Sequence, residues 1–491
     1  MTVLNRNPLP FFINGEFSAP KGRVTYANIN PIDGSPNFDV PEATADDIDR
    51  AVSAAHSALT TEWSRIDRDS RSRILHRVAD LIDSRREEFL HAEIADTGKP
   101  AALAGHIDIP RGAENFRMFA DLIKGLSEES FRMPTPEGGE AINYTLRKPK
   151  GVIAVICPWN LPLLLMTWKV APALACGNAV VVKPSEETPA TATLLGEVMN
   201  EAGVSPGVYN VVHGFGPGSA GELLARHPDV NAVTFTGETT TGASIMKSVA
   251  DDIKDVSFEL GGKNPGIVFA DADLDQALEG TMRSAFANCG QVCLSTERLY
   301  VERPIFEQFI ESLADRARQL RPGNPYSKDT TIGPLISDSH RDKVLGYYEK
   351  AREFGAQIMT GGGTPELTGN LRGGWWIEPT IWTGLEETSP VVREEIFGPC
   401  CHISPFDEID EVVALANDTQ YGLASTLWTQ DVKKANQIAA RMESGITWVN
   451  CWFLRDLRTP FGGAKKSGIG REGGEYSMAF YTELQNICLK V

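Results

Sequence analysis

Two cysteines stand in the segment FANCGQVC (286–293), and the second, Cys293, follows closely on Gly290. A thiolate is a strong nucleophile toward a carbonyl carbon. A nearby glycine lets the backbone approach a ligand closely. Taken alone, a cysteine reads as well as a small buried apolar side chain, and Cys289 has nothing to lift it above that reading. Glu259, in FELGGKNP (258–265), falls at a strand end beside two glycines. If burial raises its pKa, it can serve as a general base that activates water; otherwise it is a solvated strand-end glutamate. Asn160, in PWNLP (158–162), sits on a turn, where its amide N–H can face a developing oxyanion or simply brace the turn.

A second group of motifs suits a nucleotide. KPSEETP (183–189) places Lys183 and Glu186 just beyond a strand. In open α/β sheets ligands bind beyond the carboxyl ends of strands. A carboxylate there accepts from ribose hydroxyls and repels a 2′-phosphate, which favours NAD over NADP; a surface ion pair is the plain alternative. FTGETTTG (235–242) puts Gly237 ahead of Thr239–Thr241, at a helix N-terminus whose free N–H groups suit a pyrophosphate. Gly216, Gly218 and Gly221 match the dinucleotide fingerprint G-x-G-x-x-G, but a lone match is weak.

The elements that must carry these residues are legible from periodicity. Apolar runs at 152–157, 179–182, 208–212 and 231–235 alternate with helical stretches at 189–202, 217–226 and 239–250, the βαβα pattern of a doubly wound parallel sheet. A second alternating block spans about 265–450. From Thr44 to Leu126 the pattern is helical, with Ile74, Leu75, Val78, Leu81 and Ile82 on one face. Asp108 and Pro110 are read as opening a helix that carries Arg111. Residues 127–149 and the tail FYTELQNICLKV read as edge strands outside the helical block. Residues 151–168 carry no charge, but Pro158, Asn160 and Pro162 at the centre favour a buried strand, a turn and a buried helix over a membrane span.

Composition limits the partners. The chain has 491 residues with 47 basic and 65 acidic side chains, a net charge of −18. Such an anion is repelled by phosphate backbones, so no nucleic-acid partner is expected. A small anionic substrate would need arginines placed locally. Eight cysteines without a CxxC do not make a disulfide framework or a metal site. The segment MTVLNRNPLPFF has no apolar h-region, so a cytoplasmic, non-membrane protein is expected.

Each motif is modest alone; their order is specific. PWN (158–160), KPSEETP (183–189), FTGETTTG (235–242), FELGGKNP (258–265), GQVC (290–293), EEIFGP (394–399) and PFGG (460–463) together resemble the NAD(P)-dependent aldehyde dehydrogenase superfamily, over nearly the whole chain. The resemblance implies an α/β fold with a Rossmann-like cofactor domain (1–126 and 150–259, with 456–471 returning to it), an α/β catalytic domain (260–455) and a small β oligomerisation domain (127–149 and 472–491). It implies a homodimer or homotetramer. Cys293 would form a thiohemiacetal and then a thioester, Asn160 and the Cys293 N–H would hold the oxyanion, and Glu259 would activate the hydrolytic water. A glutamate at that position argues against CoA acylation. NAD would be held by Trp159, Lys183, Glu186, Gly237, Glu395 and Phe397. Glu238 stands where the family often has serine, which puts the serine–pyrophosphate bond in doubt. The resemblance makes the 216–221 glycines a decoy, and it assigns Lys169 and Glu475 to a proton relay.

FANCGQVCLSTERLYVERPIFEQF (286–309) and WFLRDLRTPFGG (452–463) resemble the 2-hydroxymuconate and 2-aminomuconate semialdehyde dehydrogenases of aromatic meta-cleavage catabolism. Those substrates pair an aldehyde with a carboxylate. The resemblance assigns the carboxylate to Arg111 and Arg455, whose guanidinium forks suit it bidentately. An Arg455–Asp456 surface pair is the plain alternative, and Arg458 is a competitor. A 5-carboxymethyl-2-hydroxymuconate semialdehyde enzyme and a broad aldehyde dehydrogenase are rival readings of substrate. A cysteine hydrolase lacks a histidine in any motif, and a non-catalytic protein would not need Cys293, Glu259 and Asn160 together.

Overall fold

The structure is a computed structural model that describes residues 2–491. Its first sheet has eight strands. Five run parallel in the spatial order Tyr209–Val211, Ala179–Lys183, Val152–Ile156, Ala232–Thr236 and Asp255–Glu259. Phe11–Ile13 and Gly468–Ile469 pair antiparallel at the two ends, and Glu16–Ser18 extends the first of these. The four strands from Val152–Ile156 through Ala232–Thr236 are buried at every position, which explains their unbroken apolar runs. The strand first in chain order, Val152–Ile156, lies in the middle, and the chain winds outward from it in both directions. The carboxyl edge beside it is the crevice where doubly wound sheets bind ligands.

The second sheet has seven strands in the order Gln357–Thr360, Thr380–Thr383, Cys400–Phe406, Thr296–Glu302, Asn264–Val268, Ala424–Trp428 and Ile446–Val449. All neighbours are parallel except the Gln357–Thr360 edge. A third, antiparallel sheet joins Ser130–Pro134, Glu140–Pro149 and Thr482–Lys490, the last two in register from Thr482↔Pro149 to Lys490↔Ala141.

The charge-free run at 151–168 resolves as expected into a strand, a turn and the helix Pro162–Ala175, whose residues are buried on every side except at Leu165. Among the described residues no helix is long and apolar enough to cross a membrane. The helix Arg68–Ser84 buries Leu75, Val78, Ala79 and Ile82, and Asp67 caps it by accepting from the Ser70 N–H at 2.7 Å. One helix start differs from expectation. Asp108 does not cap the helix Ile109–Lys124; it lies in a π-helical turn, Ala104–Asp108, with helical backbone angles and no capping bond. Its carboxylate binds Lys99 instead.

Candidate active site

Four of the expected motifs leave the carboxyl edge of the first sheet together. Trp159 and Asn160 follow Val152–Ile156, Lys183 ends Ala179–Lys183, Gly237 follows Ala232–Thr236, and Glu259 ends its strand. A cavity of about 330 Å³ collects Trp159, Asn160, Glu186, Gly237, Glu238, Glu259, Cys293, Glu395 and Phe397. The residues from the second sheet enter at the amino ends of their strands: Cys293 before Thr296–Glu302, and Glu395 and Phe397 before Cys400–Phe406.

The nucleophile loop is held in an unusual backbone conformation. Asn288, Cys289 and Gly290 have φ of 51°, 57° and 69°. A Cβ on Gly290 would lie 2.0 Å from the Gly398 carbonyl oxygen, so only glycine fits. Asn264 donates through Nδ2 to the carbonyls of Cys293 (2.7 Å) and Ser295 (2.8 Å). Cys293 is half-buried, and burial, with Glu259 and Glu395 nearby, pushes its thiol up to about 12. It therefore needs a base to react at neutral pH. Cys289 is fully buried in an apolar cluster with Ile332 and Val344, as its plain reading had it.

Glu259 is 4% exposed, and neither carboxylate oxygen has a hydrogen-bond partner. Burial, reinforced by Glu472, holds its carboxyl well above the ordinary range. A side chain at position 462 would crowd it, since a Cβ on Gly462 would stand 2.8 Å from Glu259 Oε1. Asn160 is buried and donates one amide hydrogen to the Gln291 carbonyl at 3.0 Å. Its Nδ2 carries a second hydrogen, on the side chain that lines the cavity with Cys293.

On the nucleotide side, Lys183 Nζ and Glu186 Oε2 pair at 3.0 Å, with Lys183 buried and Glu186 on the cavity wall. Trp159 and Phe397 meet edge to face at 5.4 Å. Phe397 has φ of 61°, and its N–H donates to Glu297 at 2.8 Å. Glu395 accepts from the Gly262 N–H at 2.8 Å, and burial raises its carboxyl to about 8. Glu238 precedes the helix Thr239–Val249 but caps nothing. The glycines at 216–221 line no part of this cavity, and the Gly218 N–H is taken by Glu222 at 2.8 Å.

The arginines separate clearly. Arg455 lies between aromatic rings, its guanidinium carbon 4.1 Å from the Trp168 ring centre and 3.8 Å from that of Phe461. Its Nε and Nη2 are buried without a partner. Desolvation lowers it to about 10, with Arg111 adding to the shift and Glu259 opposing it. It makes no ion pair with Asp456, which holds the exposed Arg458 through two contacts at 3.0 and 2.6 Å. Arg111 lines a separate cavity of about 450 Å³ with His106, Glu114, Arg283 and Phe453. Lys169 pairs with Glu472 at 2.6 Å, not with Glu475, which is exposed in the first turn of the helix Gly474–Phe480.

Several positioning side chains carry no signature that sequence reasoning caught. Asn264 stands inside FELGGKNP (258–265), a motif whose chemistry points to Glu259. Glu297, buried against Lys263 at 2.5 Å, fastens the loop of Glu395 and Phe397 from the next strand. His340 binds the Phe397 carbonyl at 2.8 Å and packs on Trp159.

The chain belongs to the aldehyde dehydrogenase family, whose model matches residues 17–487. Within it the chain is 61% identical over 480 residues to a 2-hydroxymuconic semialdehyde dehydrogenase of Pseudomonas sp. (strain CF600), covering 98% of this chain and 99% of that protein. It is 55% identical to a 2-aminomuconic 6-semialdehyde dehydrogenase of Pseudomonas sp, covering 98% and 97%. The fold superposes with a TM-score of 0.95 on the NAD+ complex of an aldehyde dehydrogenase from Bacillus cereus, at 37% identity, covering 100% and 98%.

Proposed function

We propose that this enzyme oxidises a muconic semialdehyde carrying a carboxylate, 2-hydroxymuconate or 2-aminomuconate 6-semialdehyde, to the dicarboxylate with NAD, in aromatic-compound catabolism. The observation that carries the substrate class is Arg455. A largely desolvated guanidinium, with two buried nitrogens unpartnered and a second arginine nearby, is costly unless an anion fills the gap. An uncharged aldehyde leaves that cost in place; a terminal carboxylate removes it. Similarity to the two muconic semialdehyde dehydrogenases supports the same class.

The cavity residues fit NAD. Glu186, with Lys183 paired to it outside the cavity lining, is assigned to the adenosine ribose, Trp159 and Gly237 to the pyrophosphate, and Glu395 and Phe397 to the nicotinamide riboside. Glu186 disfavours a 2′-phosphate. Bound NAD supplies the hydride acceptor. Cys293 Sγ forms the bond to the aldehyde carbon, and its proton leaves to a base of the cavity, with Glu259 in place to take it. The Asn160 amide and the Cys293 N–H receive the oxyanion. After oxidation the thioester on Cys293 is opened by a water from which Glu259 removes the proton, releasing acid and thiol. Lys169 with Glu472, rather than with Glu475, offers the outward path for that proton, because Glu472 is the carboxylate that raises Glu259 by repulsion.

The two large sheets with their helices serve as cofactor-binding and catalytic domains. The three-stranded sheet serves assembly: Phe131, Met133, Leu484 and Leu489 are about half exposed or more on it, and a second copy of the chain would cover them. The test is NADH formation from 2-hydroxymuconate semialdehyde against an uncharged aldehyde of similar length. A strong preference in kcat/KM for the first supports the reading, and equal turnover overturns it.

A further inference from the structure

Behind the cavity, and lining none of it, lies a buried charge cluster. Lys99 follows the helix Arg86–Thr97 by one residue, Gly98, whose φ is 68°. Its side chain is 1% exposed. The ammonium reaches three acceptors: Asp108 Oδ2 at 2.6 Å, the Asn160 backbone carbonyl at 2.9 Å and Glu93 Oε1 at 3.5 Å. Asp108 and the Asn160 carbonyl accept its two hydrogen bonds, and Glu93 Oε1 faces it as an ion-pair partner without a hydrogen bond. Glu93 in turn accepts from the Leu163 N–H at 3.4 Å, at the start of the helix that follows Asn160.

Asn160 is thereby gripped at its backbone from two sides. Its carbonyl accepts from Lys99 and also from Asn288 Nδ2 at 3.0 Å, while its own amide donates to Gln291. Asp108, which holds Lys99, immediately precedes the helix Ile109–Lys124 that presents Arg111. One buried ammonium thus ties the turn bearing the amide donor to the root of the helix bearing a carboxylate-binding arginine. Two carboxylates against one ammonium balance in charge when the pair shares a proton. Burial supports this, since it raises Glu93 to about 8 and also raises Asp108.

We propose that Lys99 is a positioning residue of the oxyanion hole, holding Asn160 at the distance from Cys293 that hydride transfer requires. The proposal rests on Asn160 being the oxyanion donor. A neutral side chain at position 99 leaves two buried carboxylates without their counter-charge and the Asn160 carbonyl with Asn288 as its remaining donor, and the Asn160 turn relaxes away from the sulfur. A side-chain donor displaced by even an ångström loses much of its effect on the transition state.

The test is a double-mutant cycle on hydride transfer, read as the single-turnover rate of NADH formation, with NAD affinity followed by quenching of tryptophan fluorescence. Asn160→Ala is expected to lower the rate by on the order of 100-fold, as loss of an oxyanion donor does elsewhere. Lys99→Met is expected to lower it by roughly 10- to 100-fold with NAD affinity changed less than about threefold, and to cost less than about twofold when Asn160 is already alanine. Lys99→Arg should recover part of the loss. An equal penalty from Lys99→Met in both backgrounds, or none at all, overturns the proposal while leaving Asn160 its role. An unaffected Asn160→Ala overturns the oxyanion assignment and the proposal with it. If Lys99→Met does not yield folded protein, Asp108→Asn, which keeps the ammonium and weakens its anchor, goes through the same cycle with the same expected pattern.

Discussion

Replacing Arg455 with methionine separates recognition of the substrate carboxylate from every other contribution of the site. Methionine keeps an unbranched, flexible stem between Trp168 and Phe461 and removes only the charge and the donors. The structure sets the scale. Desolvation and Arg111, only partly offset by Glu259 and Glu472, lower this guanidinium from 12.5 to about 10, on the order of 3 kcal/mol against the charged form. A carboxylate that pairs with Nε and Nη2 returns a comparable amount, so the variant should lose about 100-fold in kcat/KM for a carboxylated semialdehyde. The loss should fall mostly in KM. An uncharged aldehyde of similar length should be used as well as before or better, because the buried cation that repelled nothing useful is gone. The same reasoning gives a stability signature: the variant without ligands should melt at a higher temperature than the parent. Initial rates of NADH formation with both aldehydes, and a thermal melt, are sufficient. Equal losses on both substrates would refute the carboxylate role, and Arg458→Met, which touches only Asp456, should change neither.

Glu259→Gln should give a slowed burst of NADH, because Glu259 is also placed to take the Cys293 proton, followed by still slower turnover, with a thioester trapped on Cys293 detectable by intact mass. A steady rate like the parent's would remove Glu259 from deacylation. In the parent, Glu259 works as a base only when ionised, and burial and Glu472 hold its carboxyl well above 4.5. Deacylation should therefore rise with pH in a limb displaced upward from the ordinary carboxylate range, and a limb near the ordinary carboxylate value would contradict the burial argument. Glu186→Ser should raise the NADP/NAD ratio of kcat/KM by roughly tenfold or more, since a charged repulsion at a 2′-phosphate is lost. Gly290→Ala should abolish activity and lower the melting temperature, because its Cβ meets the Gly398 carbonyl at 2.0 Å and φ is 69°; a stable, active variant would show that the two loops move apart freely.

The strand-end residues were legible because the doubly wound pattern itself places strand ends at a ligand crevice. Periodicity and motif placed Glu259, Asn160 and Gly237 at that edge, whereas Cys293 stood above its plain reading, and Trp159 entered, only through the order of the motifs and the family resemblance. What escaped was set by contacts between segments far apart in the chain. Asp108 next to Pro110 looks like a helix opening, but a π-turn upstream gives it helical angles, and its carboxylate is drawn to Lys99 nine residues back. Glu475 and Glu472 differ by three positions, and only the fold shows that the chain turns helical at Gly474, leaving Glu472 facing Lys169 and Glu475 facing solvent. Glu297 lies within a strand of the second sheet yet binds backbone amides a hundred residues later, and no local pattern announces such a partner. The plain alternative for Arg455, a surface pair with Asp456, is not what forms: Asp456 binds Arg458 instead.

Glu259 and Arg455 are opposite charges that influence one another across the site, and yet they form no ion pair within 4 Å among the described residues. Left to electrostatics they would close on each other, and the enzyme would lose its base and its anion anchor in one step. Packing prevents this. The planar guanidinium is stacked against Trp168 and Phe461, each holding it by dispersion and by the quadrupole of the ring. Gly462, directly after Phe461, leaves the room that Glu259 occupies, since any side chain there would press on its carboxylate. The sequence PFGG therefore does two jobs with neighbouring residues: its phenylalanine clamps the cation, and its first glycine frees the anion. A net charge of −18 makes this separation more valuable, because an anionic substrate drawn into an acidic protein can be held only by a cation that no internal carboxylate has already neutralised.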